Sequence, residues 1–149
     1  MRSTSMLLIA LLTLAAGPAC APDAQVPQPA SVLAGDWQLV SIASPNYNAD
    51  VGPTPTPPVV RFRASRELEG TVGGTDGCND WAGAYSVPAE GQVRIGPLAS
   101  TLRQCIRVFT LAEGGYSGFE LGSVTRFIRS GSELVLSSDD NATRLTFKQ

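Results

Sequence analysis

Cys78 stands among the groups best able to do chemistry in this chain. Asp76, Asn79 and Asp80 flank it, and Glu67 and Glu69 lie a short way upstream. A thiol beside carboxylates suggests a redox cysteine, a metal centre, or a nucleophile with an acidic neighbour. Further along, Ser100 and Thr101 add two hydroxyls and Cys105 a second thiol. Arg94, Arg103, Arg107, Arg126 and Arg129 are numerous enough to form a cationic patch. Each of these chemistries needs helpers that the 149 residues must supply. The sequence contains no histidine. That removes Ser-His-Asp and Cys-His catalysis, histidine ligation of metals and the usual proton shuttle near neutral pH. Lysine occurs only as Lys148, next to the last residue, which argues against a buried Schiff-base amine.

The remaining options lose to structural readings. A thioredoxin-like site needs a close Cys-x-x-Cys spacing, and two cysteines without histidine cannot complete a zinc shell. The glycine-rich surroundings of Asp76, Asn79 and Asp80 do not follow a calcium-loop pattern. Those side chains are better read as caps on the amides of their own turn, and Asp139-Asp140-Asn141 as another turn signature. Ser100 and Thr101 have no activating base in the sequence. The arginines read as scattered, solvated charges. With 16% charged residues and a formal net charge of −2, the chain also lacks the basic face that a nucleic-acid partner requires. The expectation is a non-enzymatic monomer without metal or cofactor.

The cysteines then read as a staple. An exported chain with two cysteines in its folded part pairs them. The 26 residues between Cys78 and Cys105 make that closure worth roughly 3 kcal/mol in the chain-entropy model. The third cysteine, Cys20, falls in a leader. Residues 1–19 read as a signal peptide: Arg2 is followed by the apolar run from Met6 to Ala16, which is shorter than the roughly 20 residues of a membrane span. Gly17-Pro18-Ala19-Cys20 resembles the lipobox of bacterial lipoproteins, with Gly17 where that box has leucine. Cys20 is therefore the candidate lipidation site, and the alternative is ordinary cleavage at the same place. Residues 20–32 hold Pro22, Pro27 and Pro29 and form a semi-extended tether. Ala21, rather than an aspartate, points by analogy with envelope sorting to the periplasmic face of the outer membrane. Without the lipid, the protein is expected to be soluble in the periplasm.

The domain is expected over residues 33–149. Leu33, Trp37 and Leu39 alternate on one face of a first strand. Residues 43–58, with five prolines, read as a long irregular loop, and such loops are often binding rims. Val59–Phe62 and Leu68–Val72 make two more strands, the latter broken at Gly73-Gly74. Gly77 enters a tight turn, and Gly83 between Trp81 and Tyr85 marks a bulge or a close backbone approach. Tyr85–Val87 and Gln92–Ile95 form a hairpin. Ile106–Leu121 is the one helix candidate, its stripe of Val108, Ala112, Tyr116 and Phe119 weakened by three glycines. Val124–Arg129, Glu133–Ser137 and Thr143–Phe147 close the chain as a meander. About eight short strands and one helix predict an α+β fold with an antiparallel, barrel-like sheet.

Several of these motifs, taken together, resemble a family. Gly77-Cys78-Asn79, Gly83-Ala84-Tyr85, Ile95 to Thr101 and Cys105 look like the META domain of HslJ-like bacterial heat-shock lipoproteins. So do Gly35-Asp36-Trp37-Gln38-Leu39, Val124-Thr125-Arg126-Phe127 and Leu145-Thr146-Phe147. The resemblance implies a strongly curved antiparallel sheet, a cracked or half barrel, wrapped around one helix. It is similar to the fold of secretin-piloting lipoproteins, whose cavity accepts a lipid tail. It carries over no catalytic residue and implies a general link to heat shock and stress.

The functional expectation is an envelope lipoprotein, held at the membrane through Cys20, that binds an apolar ligand or lipid tail, or a segment of a partner protein. Trp37, Leu39, Phe62, Trp81, Phe119 and Phe127 are the candidate cavity-lining residues, with core packing as the competing role. The alternative is an interaction or assembly module without an internal ligand. A small hydrolase is the weakest reading.

Overall fold

The computed structural model describes residues 28–45, 48–103 and 119–149. The signal peptide, Cys20, the first part of the tether, Cys105, Arg107 and residues 106–118 of the expected helix lie outside them.

Among the described residues, ten strands form one antiparallel sheet: β1 (Gly35–Ala43), β2 (Asn48–Asp50), β3 (Val59–Ala64), β4 (Glu69–Thr75), β5 (Asp80–Ser86), β6 (Arg94–Ile95), β7 (Ala99–Ser100), β8 (Arg126–Ser130), β9 (Glu133–Ser137) and β10 (Arg144–Lys148). The order across the sheet is β6-β5-β4-β3-β1-β10-β9-β8, with β2 added beside β1 and β7 beside β5. Strand twist curls this sheet until its two edges meet. Val93 N–H donates to Thr125 O at 2.9 Å and Phe127 N–H to Gly91 O at 2.8 Å, and Gln92 bridges to Arg126. The result is a strongly curled half barrel, as the family resemblance implies.

The expected helix is not part of this picture. The described residues contain no α-helix. The end of the predicted segment, residues 119–121, lies in a short 3-10 turn, Phe119–Ser123. A second 3-10 turn, Ala30–Leu33, precedes β1, so Leu33 packs from a turn rather than from the strand. Both Ala30 and Leu33 are fully buried.

Three other expectations change with the register. The 43–58 segment is not wholly irregular, because Asn48–Asp50 pairs with Ser41–Ala43. β1 carries a register shift between Leu39 and Ser41. The extra residue turns Ile42 inward along with Trp37 and Leu39, which strict alternation would not do. β4 runs through Gly73 and Gly74 unbroken, because β5 needs those glycines: Gly74 lies opposite Trp81 and Gly70 opposite Tyr85. A Cβ on Gly74 would sit 2.5 Å from the Trp81 ring, and one on Gly70 would sit 2.5 Å from that of Tyr85. Large and small residues thus alternate across the pair, with Gly83 facing Val72 and approaching Pro97 O and Leu98.

The inner face forms one cluster of Trp37, Phe62, Tyr85, Leu134, Leu145, Phe147 and their neighbours. Phe62 and Tyr85 meet edge to face, with ring centroids 4.9 Å apart and planes at 81°. Trp37 donates its indole N–H to Leu33 O at 2.9 Å, and Arg129 lies 5.1 Å from its ring centroid while donating to Val32 O at 2.7 Å. Those contacts fix the chain ahead of β1 across the mouth of the sheet.

Tyr85 ties the same segment down from below, its hydroxyl donating to Ala30 O at 2.8 Å. Burial raises the Tyr85 pKa above its usual value of 10.0. A raised folded-state pKa means that the native protein holds the proton more tightly than the unfolded chain. The associated stability is therefore complete below about pH 10 and is lost as pH climbs through the folded value. Tyr85→Phe should cost about 1–3 kcal/mol, because it strands a buried carbonyl. It should also flatten the alkaline limb of stability between about pH 9 and 11 measured by urea unfolding. An unchanged alkaline limb would show that Tyr85 is not the group responsible.

Candidate functional site

The corner between β4 and β5 holds most of the chemically able residues, and the structure uses them to close on one another. Gly77 sits at φ +95°, where the backbone favours glycine. That turn points the Cys78 and Asn79 amides at Asp76, whose Oδ1 accepts them at 2.8 and 2.6 Å. Asp76 is 8% exposed, so this carboxylate is a buried turn cap and not a free acid. Asp76 N–H returns a bond to Asn79 O at 3.1 Å.

Asn79 and Asp80 act differently from the expected caps. Asn79 Oδ1 accepts from Arg103 N–H at 2.7 Å and from the Thr101 hydroxyl at 3.2 Å. Asp80 pairs with Arg103 at 2.9 Å. Its amide donates to Thr101 Oγ1 at 3.0 Å, and Thr101 N–H donates to Asp80 O at 2.9 Å. Both residues therefore reach across to the segment after β7. Cys78 is disulfide-bonded, and its Sγ lies 3.6 Å from Arg103 O, two residues ahead of Cys105.

The hydroxyls are accounted for in the same way. Ser100 donates to Thr101 O at 3.0 Å, and Thr101 is engaged by Asn79 and Asp80. Neither is poised as a nucleophile. Sequence reasoning undervalued Thr101 and Arg103, which looked like a stray hydroxyl and a solvated cation. Their positions four and two residues before Cys105 were the signal available, since any pairing of Cys105 with Cys78 brings them beside Asn79.

The described arginines are distributed over several places, with Arg94 and Arg126 lining one cleft. Arg103 pairs with Asp80, Arg126 with Asp139 at 2.8 Å, and Arg129 stacks on Trp37. Arg61 and Arg63 on β3 both reach Asp36 on β1, Arg61 at 3.7 Å. Around the Asp139 turn, Asp140 accepts from the Ser138 hydroxyl and from Ala142 N–H at 3.0 Å, and these bonds hold its pKa below the ordinary carboxylate value. Among the described residues, no group of three or more acidic or thiol ligands gathers in a metal-binding arrangement.

The candidate cavity residues lie in the core. Trp37 and Phe62 are 0% exposed, Leu39 1%, Trp81 3% and Phe127 6%. Trp37 and Phe62 thus lie within the packed core. Phe119 opens the 3-10 turn Phe119–Ser123, and its side chain lies outside what is described. Trp81 is the exception in one respect: its buried indole N–H has no hydrogen-bond partner. Concavities among the described residues include one of about 630 Å³ on the outer surface, a saddle over β4, β5 and β6. Thr71 faces Ala84, and Glu69, Ser86 and Arg94 follow one another across the strands. The floor is small side chains, and Arg66 and Arg94 stand at its rim.

The strongly curled antiparallel sheet thus carries a glycine–aromatic pair of central strands and a cysteine corner. The family model for the META domain matches residues 30–149. The chain belongs to the META domain family. The matched region begins at the buried Ala30. No curated protein and no solved structure shows significant similarity to this META domain protein.

Proposed function

We propose that this META domain protein is a non-enzymatic module of the cell envelope, held at the membrane through a lipid on Cys20, that engages a partner protein through its outer surface. The observation that carries this reading is the burial of Trp37, Leu39, Phe62 and Phe127, which fill the inside of the sheet with the protein's own side chains. A filled interior leaves recognition to the outside, where the saddle over β4–β6 offers a shallow apolar floor with a charged rim. The corner supports a binding role in another way: its carboxylates, amide and hydroxyls are committed to one another, and Cys78 to a disulfide that we assign to Cys105. The tether reading rests on the leader and the Gly17-Pro18-Ala19-Cys20 sequence, and the link to stress on the family resemblance.

Mass spectrometry of the mature protein extracted from envelopes tests the tether. The expected species starts at Cys20 and carries acyl chains. A mature chain with an unmodified N-terminus, free in the periplasm, would remove the membrane from the proposal and leave only the surface module.

One observation favours a second reading. The unpartnered Trp81 donor would be satisfied by the polar head of a small apolar ligand reaching the interior. That ligand would lie beside Trp81, and its uptake would change the fluorescence of that indole.

A further inference from the structure

The proline-rich connection from β2 to β3 is a part of the domain that neither the core nor the corner network explains. In Gly52-Pro53-Thr54-Pro55-Thr56-Pro57-Pro58 every residue is either a proline or stands directly before one. A proline fixes its own φ at about −65°, and its ring pushes the preceding residue into the extended region. The segment therefore keeps an extended course without a ladder, with one bend at Pro55-Thr56. Its two ends are fastened to neighbouring residues of β1. Val51 N–H donates to Val40 O at 2.7 Å, and Leu39 N–H donates to Pro58 O at 2.9 Å. Residues 52–57 thus form an arch whose feet stand side by side.

Thr56 stands at the bend and is exposed with Pro53 and Pro55, whereas Thr54 is half-buried. Its hydroxyl has no hydrogen-bond partner among the described residues, and neither has its backbone. Several other hydroxyls are placed differently. Ser65, Ser100, Ser123 and Ser138 donate to protein oxygens. Thr71 is exposed but stands within β4, paired with Arg63 and Ala84 on its two sides. An enzyme that modifies a hydroxyl must draw the peptide around it into a cleft as an extended segment. Thr56 meets that demand in the folded protein, because its extended backbone is set by its neighbours and bonded to no strand.

The composition says which group is added. Threonine set among prolines in an exported chain is the pattern of O-glycosylated segments. Nucleotide donors for phosphorylation belong to the cytoplasm, whereas sugars carried on polyprenyl phosphates are presented outside it.

We propose that Thr56 is the acceptor of an O-linked sugar. Thr56 Oγ1 attacks the anomeric carbon of a sugar carried on a polyprenyl phosphate. The new bond joins Oγ1 to that carbon, and the bond from the carbon to the phosphate oxygen breaks. The hydroxyl proton passes to a base of the transferase, and the polyprenyl phosphate leaves with the electron pair. The step rests on the export read from the leader and is independent of the surface that engages a partner.

Mass spectrometry of the protein purified from its own cells tests the site. The expected mature chain is heavier by one or more hexose units, and electron-transfer fragmentation places them on Thr56. Thr56→Ala should abolish the added mass, Thr56→Ser should restore it, and Thr54→Ala should leave it in place. None of the three should shift Tm measurably, since neither hydroxyl bonds to the described protein. A processed chain with Thr56 bare, a sugar that survives Thr56→Ala, or an added phosphoryl mass would overturn the proposal. A chain that keeps its leader would overturn both the proposal and the export on which it rests.

Discussion

Gly74→Ala should destabilise the domain by about 3 kcal/mol or more, although it adds a single methyl group to a sheet. The new Cβ would collide with Val59 O, a backbone atom of the neighbouring strand, and stand 2.5 Å from Trp81 Cζ2. Neither obstacle can move cheaply. Val59 O is fixed by the β3–β4 pairing, and Trp81 is 3% exposed and packed in the core. For a domain of this size the loss corresponds to a fall in Tm of about 10 °C or more. Gly52→Ala supplies the control, since nothing lies within 4 Å of its Cβ position. It should stay within about 0.5 kcal/mol of the parent. Thermal and urea unfolding of the two variants side by side make the comparison. Equal stability of both would mean that β4 and β5 are not packed as described.

Removing the disulfide comes next in size. Cys78→Ser should cost roughly 3 kcal/mol, within a range of about 2–5 kcal/mol for native bridges in small exported domains. The corner network sets where in that range the loss falls. Asn79, Asp80, Thr101 and Arg103 hold β5 against the segment after β7 through five bonds that do not involve sulfur. The register of β5 with β7, Trp81 with Ser100, should therefore survive reduction, and the loss should come mainly from the freed unfolded chain. A mutant cycle settles the pairing. If Cys78 and Cys105 share one bond, Cys78→Ser, Cys105→Ser and the double variant lose the same stability. A double variant that loses the sum of the two would show that the sulfurs act apart.

The sheet was largely legible in the sequence, because half-buried antiparallel strands alternate and this chain alternates clearly. Trp37 with Leu39, Val60 with Phe62, and Leu145 with Phe147 each mark an inner face, and each pair is buried. Turn residues such as Gly91 and Gly131, both at positive φ, fell between the strands as expected. Short edge pieces were not legible. Asn48–Asp50 and Ala99–Ser100 are too brief to show a period, and they are strands only because β1 and β5 offer them a free edge. The glycine pair in β4 misled for a related reason. Gly73-Gly74 reads as a break in isolation, and its place inside the sheet depends on Trp81, seven residues beyond Gly74 and across a turn.

The same limit applies to the site. Composition argued against several catalytic chemistries, since a chain without histidine has few ways to activate a thiol or a hydroxyl. It gave no means of telling which polar side chains would cap their own turn and which would reach across to another strand. Asp76 does the first, while Asn79 and Asp80 do the second, and the difference follows from the direction in which the Gly77 turn aims each side chain. Likewise, an aromatic residue on an inner face lines a cavity or fills a core according to what stands opposite it. For Phe62 that is Tyr85, in edge-to-face contact.

Whether the inside of this META domain is filled by its own side chains is tested most directly by titrating the mature protein with a fluorescent fatty acid below its micelle concentration. The account predicts no saturable, stoichiometric binding and no change in tryptophan emission from Trp37 or Trp81. One mole of fatty acid bound per mole of protein, displaced by unlabelled fatty acid and accompanied by a shift in indole emission, would contradict it.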